Sequence, residues 1–198
     1  MNTSSNRHEP GSLERRLTGL GFMELFQRLD QHALDEVWQH GAARAPLEAL
    51  ALDVSAAALA RFLAAEILFV KAPKYPPRRA AKALADVYAR ALAEQLTGMA
   101  NPWGLPGEPD EATARHAIVL GKPAVPAFEQ LLDDRREVHY GGSREATVGN
   151  QYRYRVKDVA AALIEAIRGE QVDVKDLDPV RRDSAIGALR ARLREDKR

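Results

Sequence analysis

The chain contains no cysteine. That removes disulfides, thiolate nucleophiles and cysteine-ligated zinc, and it fits a reducing compartment. It also lacks a dominant charge: 29 lysines and arginines against 28 aspartates and glutamates leave a formal net charge of +1. No global field steers such a protein to nucleic acid or an anionic membrane. Long apolar runs are missing as well. The most apolar stretch, Val54 to Val70, is interrupted by Arg61 and Glu66 and is too short to span a bilayer. Met1 to Gly11 is polar, without the apolar segment of a secretory signal. The expectation is a soluble cytoplasmic protein with no membrane insertion.

Motifs of known chemistry are missing too. His8, His32, His40, His116 and His139 include no pair at the i, i+4 spacing of a helical metal site. Gly141-Gly142-Ser143 is not a nucleophile elbow, and no Lys-Ser/Thr follows the span from Gly142 to Gly149, as a phosphate loop requires. No metal, cofactor or catalytic residue is expected from these patterns.

What remains is a globular composition, 198 residues with 45% apolar side chains, enough for one domain or two small ones. Residues 1–11 are expected to form a disordered tail. Residues 12–198 read as a single all-α domain with an N-terminal half over 12–97 and a second half over 110–198. Leu13 to Leu20 predicts a short helix ending at Gly19 or Gly21. Phe22, Leu25, Phe26 and Leu29, then Ala33, Leu34, Val37 and Trp38, recur at helical spacing. Pro46 suits the first turn of a helix to Leu52. Ser55 suits the N-cap of another over Ala56 to Val70. Pro73, Pro76 and Pro77 forbid helix, and Arg78 to Leu96 resumes it. Thr97 to Pro109 is punctuated by glycine and proline and carries Trp103 and Leu105, which suits a plug packed onto the helices. The alternative is a solvent-facing tryptophan that binds a partner. Asp110 to Leu120, Ala124 to Leu132 and Pro179 to Arg194 complete the helical segments, the last with Val180, Ile186, Leu189 and Leu193 on one side.

Within this series Leu120-Gly121-Lys122-Pro123-Ala124-Val125-Pro126-Ala127 ends one helix at a glycine and restarts the next with a proline. The second helix closes on Leu131-Leu132-Asp133-Asp134, and Arg155-Val156-Lys157-Asp158-Val159-Ala160-Ala161 opens a third. Over Ala112 to Gly169 this pattern resembles a bacterial HEAT-like α-helical repeat. The resemblance implies antiparallel helix pairs packed as a short superhelical scaffold, with protein–protein interaction as the usual role of such folds. About one and a half units are legible, where a solenoid needs several. Close to twenty residues, Arg135 to Arg153, stand where a short loop joins consecutive units in that family.

This insert reads as a long polar loop, or a small hairpin, at 135–154. Val138 to Tyr140 and Gln151 to Val156 suit hairpin pairing, because Tyr152, Tyr154 and Val156 alternate with Arg153 and Arg155. One reading is a self-satisfied structural loop, in which Asn150 caps a turn, Arg155 pairs with Asp133 or Asp134, and Asp158 pairs with Lys157 or Arg155. Another is a recognition surface over 135–155, with Tyr140, Arg144, Asn150, Tyr152 and Arg155 contacting a protein partner in a non-enzymatic interaction module. Two alternatives stand beside it. The C-terminal helix, with Arg181, Arg182, Arg190, Arg192, Arg194, Lys197 and Arg198, suits nucleic acid. His139, with Ser143 and Glu145, suits a small-molecule or hydrolytic site.

Overall fold

A computed structural model describes residues 10–39, 44–98, 100–108, 111–141 and 144–198. The side chains at positions 10, 11, 144 and 145 lie outside that description, as does almost all of the tail expected at 1–11. The described residues are helical and contain no strand. Extended pairing is limited to two isolated antiparallel bridges, Leu105 with Glu108 and Glu137 with Arg155. No described helix is long and apolar enough to cross a membrane.

The chain separates into two compact units, divided in sequence between Tyr75 and Pro76. The first unit holds α1 (Pro10–Phe22), α2 (His32–Gln39), α3 (Arg44–Leu52) and α4 (Ala58–Lys71). Gly21, at φ 71° and ψ 177°, breaks α1 near its end, and a π-turn over Met23–Gln27 follows. Helix α4 packs against α1, α2 and α3. It is buried on all sides from Ala60 to Leu68, and its alanines let neighbouring helices approach closely. Ser55 does not cap it as the sequence predicts. Its hydroxyl bonds Asp53, and the first helical turn is met instead by Glu14, which accepts from the Ala57 N–H at 2.7 Å.

The second unit holds α5 (Ala81–Ala93), α6 (Ala112–Val119), α7 (Val125–Glu129), α8 (Arg144–Tyr152), α9 (Val156–Arg168) and α10 (Pro179–Glu195). Its axis is α9, which α5, α6, α7 and α10 all contact. Alanines again line the central helix, with Val156, Val159, Leu163 and Ile164 buried among them. Gly169 closes α9 in the left-handed conformation, at φ 66°. Between α6 and α7, Gly121 does supply a positive φ, but with ψ at −157° it lies outside the left-handed helical region. Asp178 caps α10 by accepting from the Val180 N–H at 2.8 Å. The stripe that docks α10 is Arg182, Ile186, Leu189 and Leu193, whereas Val180 is exposed. Trp103 is buried, edge-on to Tyr88 at 6.3 Å, inside this unit.

The insert differs most from its sequence reading. Residues 135–154 are neither a structureless loop nor a hairpin: Arg144 to Tyr152 is helix α8, and the pairing at its base shrinks to the single Glu137–Arg155 bridge. The sequence REATVGNQY carries no apolar stripe and a central glycine, so periodicity gives no sign of it. Nine residues do not hold a helix alone in water; tertiary contacts make this one.

Candidate functional site

The frame of the site is backbone. Beyond α7 the chain runs extended beside the start of α9. The Val138 N–H donates to the Tyr154 carbonyl at 2.8 Å, Val156 N–H to Arg136 at 2.9 Å, and Lys157 N–H to Asp134 at 3.0 Å. Gln95 on the loop after α5 donates to the Glu137 carbonyl at 3.0 Å. The Arg153–Glu137 ion pair links the two segments of the base. Helix α8 is thus an excursion from a pinned base.

Tyr140 and Tyr154 lie beneath it, and Tyr152 ends it. Tyr140 is 2% exposed. Its ring occupies the space beside the Gly149 Cα, so that a Cβ there would collide with three ring carbons. The Asn150 amide donates to the Tyr140 carbonyl at 3.4 Å. Tyr152 stacks on Tyr154 with ring centroids 5.3 Å apart, and Tyr140 meets Tyr154 more nearly edge-on at 6.3 Å. The guanidinium of Arg182 sits 5.2 Å from the Tyr154 centroid, a cation–π contact. Burial pushes the Tyr140 hydroxyl well above its ordinary range and the Tyr154 hydroxyl up to about 12. Both are held protonated, and among the described residues the Tyr140 hydroxyl has no hydrogen-bond partner.

Around the tyrosines lies a buried charge network. Asp158, fully buried, takes the Arg155 backbone N–H at 2.9 Å and its guanidinium through two bonds at 2.9 and 3.0 Å. Arg182, 1% exposed, brings its Nε to 3.3 Å from the same carboxylate. It donates as well to the carbonyls of Asp176 at 2.7 Å and Tyr152 at 3.0 Å. Asp183 completes the network, taking Arg155 and Lys157 at 2.7 Å each. Partial burial raises the Asp183 carboxyl, but its bonds from Lys157 and Arg155 outweigh this and hold it below the usual range. Asp158 and Asp183 are each held by cations, and burial keeps Tyr140 and Tyr154 protonated. The cluster fixes position.

No family model matches the chain, and neither a curated protein nor a solved structure matches it. Its geometry therefore carries the functional reading alone.

The five residues singled out in the sequence fall in different places. Tyr140 and Arg155 face inward, as wedge and ion-pair partner; of the pairings expected for Arg155 the one with Asp158 forms, joined by Asp183, and those with Asp133 and Asp134 do not. Tyr152 is half-buried in the aromatic stack, and Asn150 is exposed. Arg144 belongs to α8, but its side chain lies outside the described residues. Gly149 reads in the sequence only as a glycine that permits a tight turn or the close approach of another backbone, and Arg182 only as one arginine of a basic face. Arg182 was legible in principle: positions 182, 186, 189 and 193 share one helix face, which puts a charge in an apolar stripe.

The two alternative sites look different in three dimensions. On α10, Arg181 pairs with Asp176, Arg190 with Asp133 and Arg192 with Glu170, and just beyond it Lys197 pairs with Glu129. Each of those cations is matched by a neighbouring acid. His139 is exposed, Ser143 lies outside the described residues, and so does the Glu145 side chain. Among the described residues no group of three or more His, Asp or Glu side chains could hold a metal ion.

Proposed function

We propose that this chain is a non-enzymatic protein-interaction module, a short HEAT-like helical scaffold that displays α8 as its recognition element. One observation carries this reading. Thr147, Asn150 and Gln151 are all exposed, and their i, i+3, i+4 spacing makes one polar face of α8. Helix α8 is held from beneath by Tyr140 at Gly149 and by Arg182 at the Tyr152 carbonyl. A polar helix that buries little of its own surface, fixed on a pinned base, presents amide and hydroxyl groups at defined positions. That suits hydrogen bonding to a protein partner more than burial of an apolar ligand. Tyr140 and Arg155 serve this surface from within, as supports; the contacting residues are Thr147, Asn150 and Gln151, with His139 and Arg153 at its margin.

The test is affinity capture from the native lysate at two salt concentrations, with wild type beside Thr147→Ala/Gln151→Ala, and melting curves for both. A protein lost by the variant at unchanged melting temperature supports the reading. Equal capture by both overturns it. Nucleic acid that leaves both samples at the higher salt would assign the binding surface to α10 instead.

A further inference from the structure

Among the described residues the attachments of α8 lie at its C-terminal half. Tyr140 seats against Gly149, Asn150 reaches the Tyr140 carbonyl, Arg182 holds the Tyr152 carbonyl, and Tyr152 lies on Tyr154. Among the described residues α8 has no extensive contact with another helix. Its apolar content is small: Ala146 and Val148 are half-buried, and Gly149 is its buried position. The base below stays tied by three backbone hydrogen bonds that do not involve α8.

Two features weaken the closed position from within. Arg153, where α8 ends, adopts a φ of 50°, a conformation that favours glycine. The Tyr140 hydroxyl is buried with no hydrogen-bond partner among the described residues, and closure crowds the glycine face of α8 against its ring. Water would satisfy that hydroxyl once the cover lifted, so closure forgoes its hydration.

We propose that α8 is a strap that opens as a unit while the helices around α9 stay folded, with the Tyr140 ring as its latch. Opening turns about Arg153 and is confined to the chain above the pinned base. It uncovers the Tyr140 and Tyr154 rings and the guanidinium of Arg182, a surface with aromatic faces and a cation where the closed form shows amides and hydroxyls. The strap rests on packing alone and does not depend on the partner reading above.

The test is hydrogen exchange on the full chain, comparing the amides of 146–152 with those of 159–164 in α9. Wild type should exchange at least about ten-fold faster in α8 than in α9, as a locally opening segment does. Gly149→Ala, which displaces the latch, should speed α8 by a further ten-fold or so while α9 changes by less than about three-fold. Tyr140→Phe keeps the ring and removes the unpartnered hydroxyl, so it should slow exchange in α8. Equal rates for α8 and α9 in wild type, or parallel acceleration of both in Gly149→Ala, would overturn the strap. Unchanged or faster α8 exchange in Tyr140→Phe would overturn the latch. Should Gly149→Ala fail to fold, the wild-type and Tyr140→Phe comparison reaches the same decision.

Discussion

The ring of Tyr140 fills the space that a side chain at Gly149 would need. This inverts the usual effect of replacing a helical glycine. Gly187, in the middle of α10, has open space around its Cβ position, so Gly187→Ala should stabilise the second unit by about 0.5–1 kcal/mol through helix propensity. Gly149→Ala gains the same propensity and loses the seat of the ring. It should lower the urea midpoint where Gly187→Ala raises it. Two midpoints of the same sign would mean that the Tyr140 ring gives way freely.

Asp158 is fully buried and faces the guanidinium groups of Arg155 and Arg182. Removing one partner from such a network leaves uncompensated charge in a poorly hydrated site, at a cost of about 3–5 kcal/mol. Asp158→Ala should lose that much in chemical denaturation. Asp53→Ala, at an exposed turn where the carboxylate holds Ser55, should move the denaturation midpoint far less than Asp158→Ala does.

Alkaline solution should destabilise the second unit. An unfolded tyrosine ionises near pH 10, whereas burial raises Tyr154 to about 12 and Tyr140 in the same direction. Above about pH 10 the unfolded chain releases protons that the folded one keeps, so stability falls as pH rises. The contribution is complete below the unfolded value and is lost through the folded one. Denaturation midpoints across this range, in wild type and Tyr154→Phe, should show a shallower decline in the variant.

Trp103 is buried against Tyr88. Trp38→Phe leaves it as the sole tryptophan. The remaining emission should be blue-shifted and resist quenching by acrylamide, and both properties should vanish on unfolding. Emission at the wavelength of a hydrated indole would remove Trp103 from the core.

Much of the scaffold was legible in the sequence. The stripe through Leu59, Phe62, Leu63 and Ile67 marks α4, and Gly121 with Pro126 marks the turn into α7. Helix α8 was hidden because helical periodicity records burial of one face, and α8 buries little. What forms it is a tyrosine four residues upstream and an arginine thirty residues downstream of its two ends, neither of which a local pattern records. Tyr140 and Arg155 illustrate the same limit. Tyrosine and arginine suit an adaptable surface as well as a packed interior, and the choice between them was made by Gly149, Asp158 and Asp183. Arg182 was misplaced for a simpler reason: a run of arginines suggests a basic face, and the apolar neighbours at positions 186, 189 and 193 outvote that suggestion only when the helix is drawn.

Arg182 also settles how α10 can sit. Leucine and isoleucine contacts tolerate a slide of one helical turn, since one apolar side chain replaces another at the interface. A guanidinium does not slide. Moved by a turn, it would quit the Asp158 carboxylate, the Tyr154 ring and the carbonyls of Asp176 and Tyr152 together, and would leave both charges stranded in the interior. The single arginine in the stripe acts as an alignment pin, and because it also grips the end of α8, the position of the last helix and the position of the displayed one are set by the same side chain.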